Sequence, residues 1–160
     1  MSTRQNFAQW LAGRAVLRGW ARSAFGDATE GVSWIEGGIA DYRATNSILA
    51  TPYFLALKAE ALNLANRTSE AIEAINEAEA VAERFEQRRY LSDLHRLRGV
   101  LLAALGADEN QIQASFCAAI RIAKEQKSIS LEKRAEATFV EYRRQKASGS
   151  GDRRFRLPLW

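Results

Sequence analysis

Residues 16–38 read VLRGWARSAFGDATEGVSWIEGG, and the small and apolar residues of this stretch return about forty positions later, and then again. Leu17, Leu57 and Leu97 form one set, Gly19, Ala59 and Gly99 a second, and Gly26, Asn66 and Gly106 a third. Gly31 matches Ala71, and Gly38 matches Ala78 and then Ala118 or Ala119 once the loop after Gly106 gains one residue. A fixed period of this length marks helical units that stack on one another, because one such unit cannot bury its apolar face alone. The expected fold is therefore all-α: a solenoid of about three and a half antiparallel hairpins, or about seven helices.

Local signals place those helices. Phe7 to Phe25 reads as the first, closed by Gly26, with residues 1–6 as a flexible N-terminus. Asp27 followed by Glu30 is a capping pattern for a second helix running to about Thr45, on which Val32, Ile35, Ile39 and Tyr42 share a face. Thr51-Pro52 starts a third that continues to about Ala65. Thr68 or Ser69 opens a fourth, striped by Ala71, Ile75, Ala78, Ala82 and Phe85. The fifth carries Leu91, Leu94, Leu97, Leu101 and Leu105. Asp108 with Gln111 caps the sixth, which buries Ile112, Phe116, Ala119 and Ala123. Ser128 or Ser130 opens a seventh that carries Leu131, Ala135, Phe139 and Tyr142. No segment alternates with period two. Gly31, Gly37 and Gly38 lie inside the second helix, where each costs on the order of 1 kcal/mol relative to alanine. A neighbouring helix approaching closely would offset that cost.

Composition bounds the function classes. With 160 residues and 47% hydrophobic content the chain can bury a core as one helical array over residues 7–146. No apolar run reaches the roughly 20 residues needed to span a bilayer, and no apolar signal region follows Met1 to Asn6, so a cytoplasmic protein with no membrane partner is expected. Cys117 is the only cysteine, and its apolar setting reads as a small core thiol. The net charge of +4 is concentrated at the end: from Arg143 onward six cations face one anion, leaving residues 1–142 near neutrality. Residues 147–160 thus form a basic tail, with a flexible stretch from Ala147 to Gly151.

Catalytic chemistry has few candidates. His95, between Leu94 and Leu97, reads as a partly buried packing residue. One histidine and one cysteine cannot assemble a zinc cluster from the usual ligands, and no phosphate-cradling G-x-x-x-x-G-K-[ST] segment is present. Glu70, Glu73, Glu77 and Glu83 read as the solvated side of the fourth helix, and Arg88-Arg89 as an exposed turn. No enzyme, cofactor or metal is expected.

The paired helices, with small residues in register and Ile35, Ile75 and Phe116 between them, resemble tetratricopeptide repeats, slightly lengthened, and the resemblance implies a right-handed solenoid. The segments FAQWL (7–11), VLRGWA (16–21), IADYRAT (39–45), PYFLALKAEA (52–61), DLHRLRGVLL (93–102) and FCAAIRIAK (116–124) resemble, more closely, the C-terminal repeat region of large bacterial regulators. In those proteins a nucleotide cyclase domain and an AAA-type ATPase module precede the repeats, so the resemblance implies a signalling context. Proteins of that family continue past the segment matching 141–145 with another helix pair. The shortened array would leave Leu131, Phe139 and Tyr142 exposed and prone to self-association as a homodimer, unless Phe155, Leu157, Leu159 and Trp160 fold back over them.

Binding in such arrays uses the concave surface lined by the first helix of each pair. By register that surface draws on Val16, Trp20 and Ser23, then on Tyr53, Ala56, Glu60 and Asn63, then on Arg96, Val100 and Ala103. Trp20, Tyr53 and Arg96 are the residue types that most often anchor interfaces. The expected function is a non-catalytic scaffold for a peptide or partner domain. The alternative is a nucleic-acid accessory protein, its Arg-rich tail gripping phosphates while Phe155 and Trp160 stack on bases. The near-neutral body favours the protein partner.

Overall fold

Seven residues in the left-handed region of backbone space, about twenty apart, punctuate the chain: Gly26, Asn46, Asn66, Glu86, Gly106, Lys127 and Gly149, with φ between 54° and 112°. Each closes a helix. The computed structural model describes residues 2–149 and contains α1 (Thr3–Ala24), α2 (Ala28–Ala44), α3 (Thr51–Leu64), α4 (Thr68–Arg84), α5 (Leu91–Ala104), α6 (Glu109–Glu125) and α7 (Ile129–Ala147). A short 3-10 turn, Arg88–Tyr90, precedes α5, and there is no strand among the described residues. The fold is all-α.

The left-handed residue lets the chain reverse while the backbone N–H groups just beyond the helix satisfy its last carbonyls. The amides of Asp27, Arg67, Ala107 and Ser128 reach back five residues, to the carbonyls of Arg22, Leu62, Leu102 and Ala123, at 2.8–3.1 Å. Lys127, with φ 55°, bears a Cβ that this conformation disfavours. Lys127→Gly is therefore expected to raise stability by about 0.5–1 kcal/mol, the steric relief outweighing the extra entropy of glycine in the unfolded chain. A urea midpoint that stays put or falls would sink that expectation.

Helix starts differ from the sequence reading in detail. The N-terminal helix begins at Thr3 instead of Phe7, because Ser2 caps it: Ser2 Oγ accepts from the Gln5 amide at 3.2 Å. Gln5 then donates from Nε2 to the Thr45 carbonyl at 2.8 Å, tying this turn to the end of α2. Asp27 caps α2 as expected, accepting from the Glu30 amide at 3.3 Å. Asp108 stands at the N-cap of α6, but its side chain makes no capping hydrogen bond; its carbonyl takes up the Gln111 amide instead.

The expected single array over residues 7–146 divides into two compact units, with the boundary between Phe85 and Glu86. In the first, α1 packs on α2, α3 on both, and α4 on α3. The α1–α2 pair is antiparallel, since Gly19 faces Gly31 while Val16 and Ala12 face Gly38. Its helices meet backbone to backbone: a Cβ on Gly31 would lie 2.4 Å from the Gly19 carbonyl oxygen, and one on Gly38 would lie 2.9 Å from that of Ala12. Gly37 faces open space, so the close approach expected of three glycines involves two of them. Val32, Ile35, Ile39 and Tyr42 are buried on the shared face of α2, and Tyr42 meets the Phe54 ring of α3 edge-on at 5.0 Å. Ala59, Ala71, Ile75 and Ala78 are fully buried where α3 and α4 pair.

In the second unit α5 packs on α6, and α7 packs on both. Ser92 Oγ donates to the Ala119 carbonyl at 2.9 Å, and Gly99 lies against the Phe116 ring, so this pair too is antiparallel. Phe116 is completely buried, stacks with Phe139 at 5.2 Å and meets the tilted Tyr142 ring at 5.7 Å. Ala119, and not the half-buried Ala118, occupies the small-residue position.

Several side chains fall outside the core assigned to them. Cys117 is exposed, because the buried stripe of α6 runs through Ile112, Phe116, Ala119 and Ala123 and position 117 points away from it. Phe85 and Leu105 follow the ends of α4 and α5 and are 41% and 46% exposed. Leu17 is 46% exposed although Leu57 and Leu97 are buried. His95 is half-buried, as expected.

Candidate functional site

The side chains assigned to a concave lining separate into a floor and a few accessible groups. Tyr53, Ala56, Glu60 and Asn63 fall on one stripe of α3, spaced three, four and three residues apart. Trp20 of α1 leans over this stripe: its indole Nε1–H donates to Glu60 Oε2 at 2.6 Å. Glu60 is only 7% exposed, so this charge-assisted bond holds α1 to α3 and fixes the tryptophan ring. Thr68 Oγ1 donates to Asn63 Oδ1 at 3.0 Å, orienting the amide from the start of α4. Tyr53 is 42% exposed, and Trp20 and Asn63 are half-buried. These three are the accessible part of the predicted surface in this unit.

The others are packing groups. Val16 and Ala56 are buried between helices, and Ser23 is buried beneath Gly31, its hydroxyl donating to the Gly19 carbonyl at 3.0 Å. In the second unit Arg96, Val100 and Ala103 are all buried, so Arg96 is no surface anchor. Arg96 Nε donates to Asp93 Oδ1 at 2.7 Å, and Arg134 of α7 lies 3.5 Å from the same oxygen. A buried guanidinium is tolerated only when paired, and α5 is enclosed because it packs on both α6 and α7.

The self-association face is likewise redrawn. Phe139 and Tyr142 are buried in the Phe116 cluster and Leu131 is half-buried, because α7 turns its aromatic stripe onto α5 and α6. Its outward side carries Ile129, Lys133, Ala137, Val140 and Arg144, and of these Ile129 and Val140 are the large apolar residues, 68% and 63% exposed. That polar side is laced by ion pairs: hydrogen bonds from Arg144 and then Gln145 hold the Glu141 carboxyl down at about 2. The basic tail proposed for nucleic acid, and the fold-back through Phe155, Leu157, Leu159 and Trp160, lie outside the described residues from Ser150 on.

Sequence reasoning missed a cleft of about 200 Å3 in the first unit, lined by Glu36, Ile39, Ala40, Arg43, Leu55, Lys58 and Glu77. Its charges cancel: Lys58 pairs with Glu36 at 3.4 Å, and Arg43 with Glu77. Because the pairs join different helices, no single helix carries a signal for them. Among the described residues no group of three or more His, Cys, Asp and Glu side chains is arranged to hold a metal. No helix of the described residues is long and apolar enough to cross a membrane.

No protein-family profile matches the chain, and no solved structure matches it. The chain is 30% identical over 134 residues to an uncharacterized protein of Rhizobium meliloti (strain 1021). That match covers 83% of this chain but only 13% of the relative, so the chain spans a small fraction of the length of the relative it resembles.

Proposed function

We propose that the chain is a non-catalytic protein-interaction module, a tetratricopeptide-like scaffold that takes a peptide or partner domain on the α1–α3 side of its first unit. The observation that carries this reading is the Trp20–Glu60 hydrogen bond, which joins residues forty apart and spends a buried carboxylate on holding an aromatic side chain in place. Tyr53 and Asn63 flank Glu60 on the same stripe, offering an exposed ring and an amide beside buried Ala56 and Glu60. A rigid aromatic with adjacent polar groups suits peptide recognition, since little side-chain freedom remains to be lost on binding. The resemblance to the repeat regions of bacterial cyclase and ATPase regulators supports a role for that recognition in signal transduction.

The test is a display selection of random peptides on the folded chain, followed by calorimetric titration of the recovered sequences. Tyr53→Ala, which removes an exposed ring, is expected to weaken their binding by about tenfold or more while leaving the circular dichroism unchanged. Recovered peptides that bind Tyr53→Ala as tightly as the parent, or a selection that recovers none, would remove the basis of this reading.

A further inference from the structure

A different surface identifies the kind of partner more closely. Phe7, Trp10, Leu11 and Leu17 are 46–58% exposed along one side of α1. On α3, forty residues on, the same side is buried: Thr51 and Leu57 match Leu11 and Leu17 and are 5% and 6% exposed. There α1 and α2 both pack on α3, Gly13 of α1 lying against the Phe54 ring, and α2 makes the side-chain contacts. Phe54 of α3 receives the Tyr42 ring of α2 at 5.0 Å, and Lys58 of α3 pairs with Glu36 of α2 at 3.4 Å. The residues of α1 at those two positions are Arg14 and Arg18, both exposed. Where α3 meets its covering helix with one ring and one cation, α1 presents two cations.

The charge of α1 points the same way. It carries Arg4, Arg14, Arg18 and Arg22 and no acidic residue. Arg22 is taken up by Asp27 and Glu30, whereas Arg14 lies over the Trp10 ring at 4.8 Å and Arg18 over Trp34 at 5.5 Å. We infer that this side of α1 docks an acidic amphipathic helix that is not among the described residues, with small or apolar residues against Leu11 and Leu17 and carboxylates at two positions about six residues apart, facing Arg14 and Arg18. The spacing follows from Glu36 and Tyr42, the residues of α2 that meet Lys58 and Phe54. A second copy of this chain fits poorly. Its own α1 would set arginine against arginine, α7 also exposes Lys133, Arg134, Arg143 and Arg144, and on α4 Ile72 and Val81 are half-buried while Glu77 is already paired with Arg43. The inference rests on the interaction-module reading only in taking a protein as partner; the surface is separate from the Tyr53 stripe.

The probe is a 17-residue peptide of the α2 sequence, residues 28–44, carrying Tyr42→Glu and cross-linked on its solvent side so that its helicity is fixed. Fluorescence anisotropy against the full chain is expected to show saturable, salt-weakened binding. That binding should fall at least tenfold in the Leu17→Glu chain and in a peptide also carrying Glu36→Lys, and recover when Arg18→Glu in the chain meets that Glu36→Lys peptide. Tyr53→Ala should leave it unchanged, so that failure here and failure of the Tyr53 surface are separate results. Absence of saturable binding, or binding indifferent to Leu17→Glu and to charge exchange, overturns the inference. So does a dimer of the free chain in light scattering that Leu17→Glu dissociates, which would give this side of α1 to a second copy. Sedimentation of the chain with phosphatidylglycerol vesicles that Leu17→Glu abolishes would overturn it in favour of a lipid surface.

Discussion

Phe116→Ala should lower the unfolding free energy of the second unit by about 3–5 kcal/mol, the range for deleting a fully buried aromatic side chain. Phe116 is completely buried and touches both Phe139 and Tyr142 of α7 while also lying against Gly99 of α5. Removing it takes away the shared wall of three helices. Gly99, which lies against the ring, has no side chain to move into the space left, so much of the cavity contribution should be retained. Phe85→Ala serves as the comparison: at 41% exposed, its loss should cost far less. Chemical denaturation of the two variants decides the matter. A loss below about 1 kcal/mol for Phe116→Ala would mean that α7 is not held by this cluster.

The cluster was half legible in the sequence. The 3.6-residue spacing of Ile112, Phe116, Ala119 and Ala123 shows which side of α6 is inward, and the same spacing marks Phe139 and Tyr142 on α7. Periodicity says that a side chain seeks an apolar neighbour, but not whether the neighbour is present. Phe139 and Tyr142 therefore read as exposed for want of an eighth helix, when α7 had only to turn them onto α5 and α6. Leu17 is the converse: it matches Leu57 and Leu97 in sequence, yet it lies exposed on the first helix. Arg96 shows a second limit, since a cation at a register position reads as surface until Asp93 is seen to neutralise it. The turns divide by chemistry. Gly26, Asn66 and Gly106 announce left-handed closures that glycine and asparagine favour, whereas Glu86 and Lys127 adopt the same conformation with no compositional mark. The candidate surface was legible as a stripe but not as a contact. The spacing of Tyr53, Glu60 and Asn63 was evident, and the hydrogen bond from Trp20 to Glu60 was not.

Gly31→Ala and Gly37→Ala, six residues apart in one helix, should change stability in opposite directions. Local propensity is the same for both: alanine gains on the order of 1 kcal/mol over glycine in a helix interior. At Gly37 a Cβ would meet nothing within 4 Å, so that gain should appear nearly whole as increased stability. At Gly31 the new Cβ would lie 2.0 Å from Ser23 Oγ, 2.4 Å from the Gly19 carbonyl oxygen and 2.9 Å from the Ser23 amide nitrogen. The hydroxyl could rotate away, although it is buried and donates to that same Gly19 carbonyl at 3.0 Å. The backbone atoms can yield only if α1 and α2 separate, which would also disturb Gly19 against Ile35 and Val16 against Gly38. Overpacking of this kind costs about 1–3 kcal/mol where side chains can adjust, and a contact with backbone belongs at the upper end, so Gly31→Ala should lose about 2 kcal/mol net of its propensity gain. Thermal or urea unfolding of the two variants beside the parent gives both signs in one experiment. If both variants gain stability, α1 and α2 do not meet at Gly19 and Gly31. If both lose it, Gly37 is enclosed by contacts that its open surroundings do not indicate.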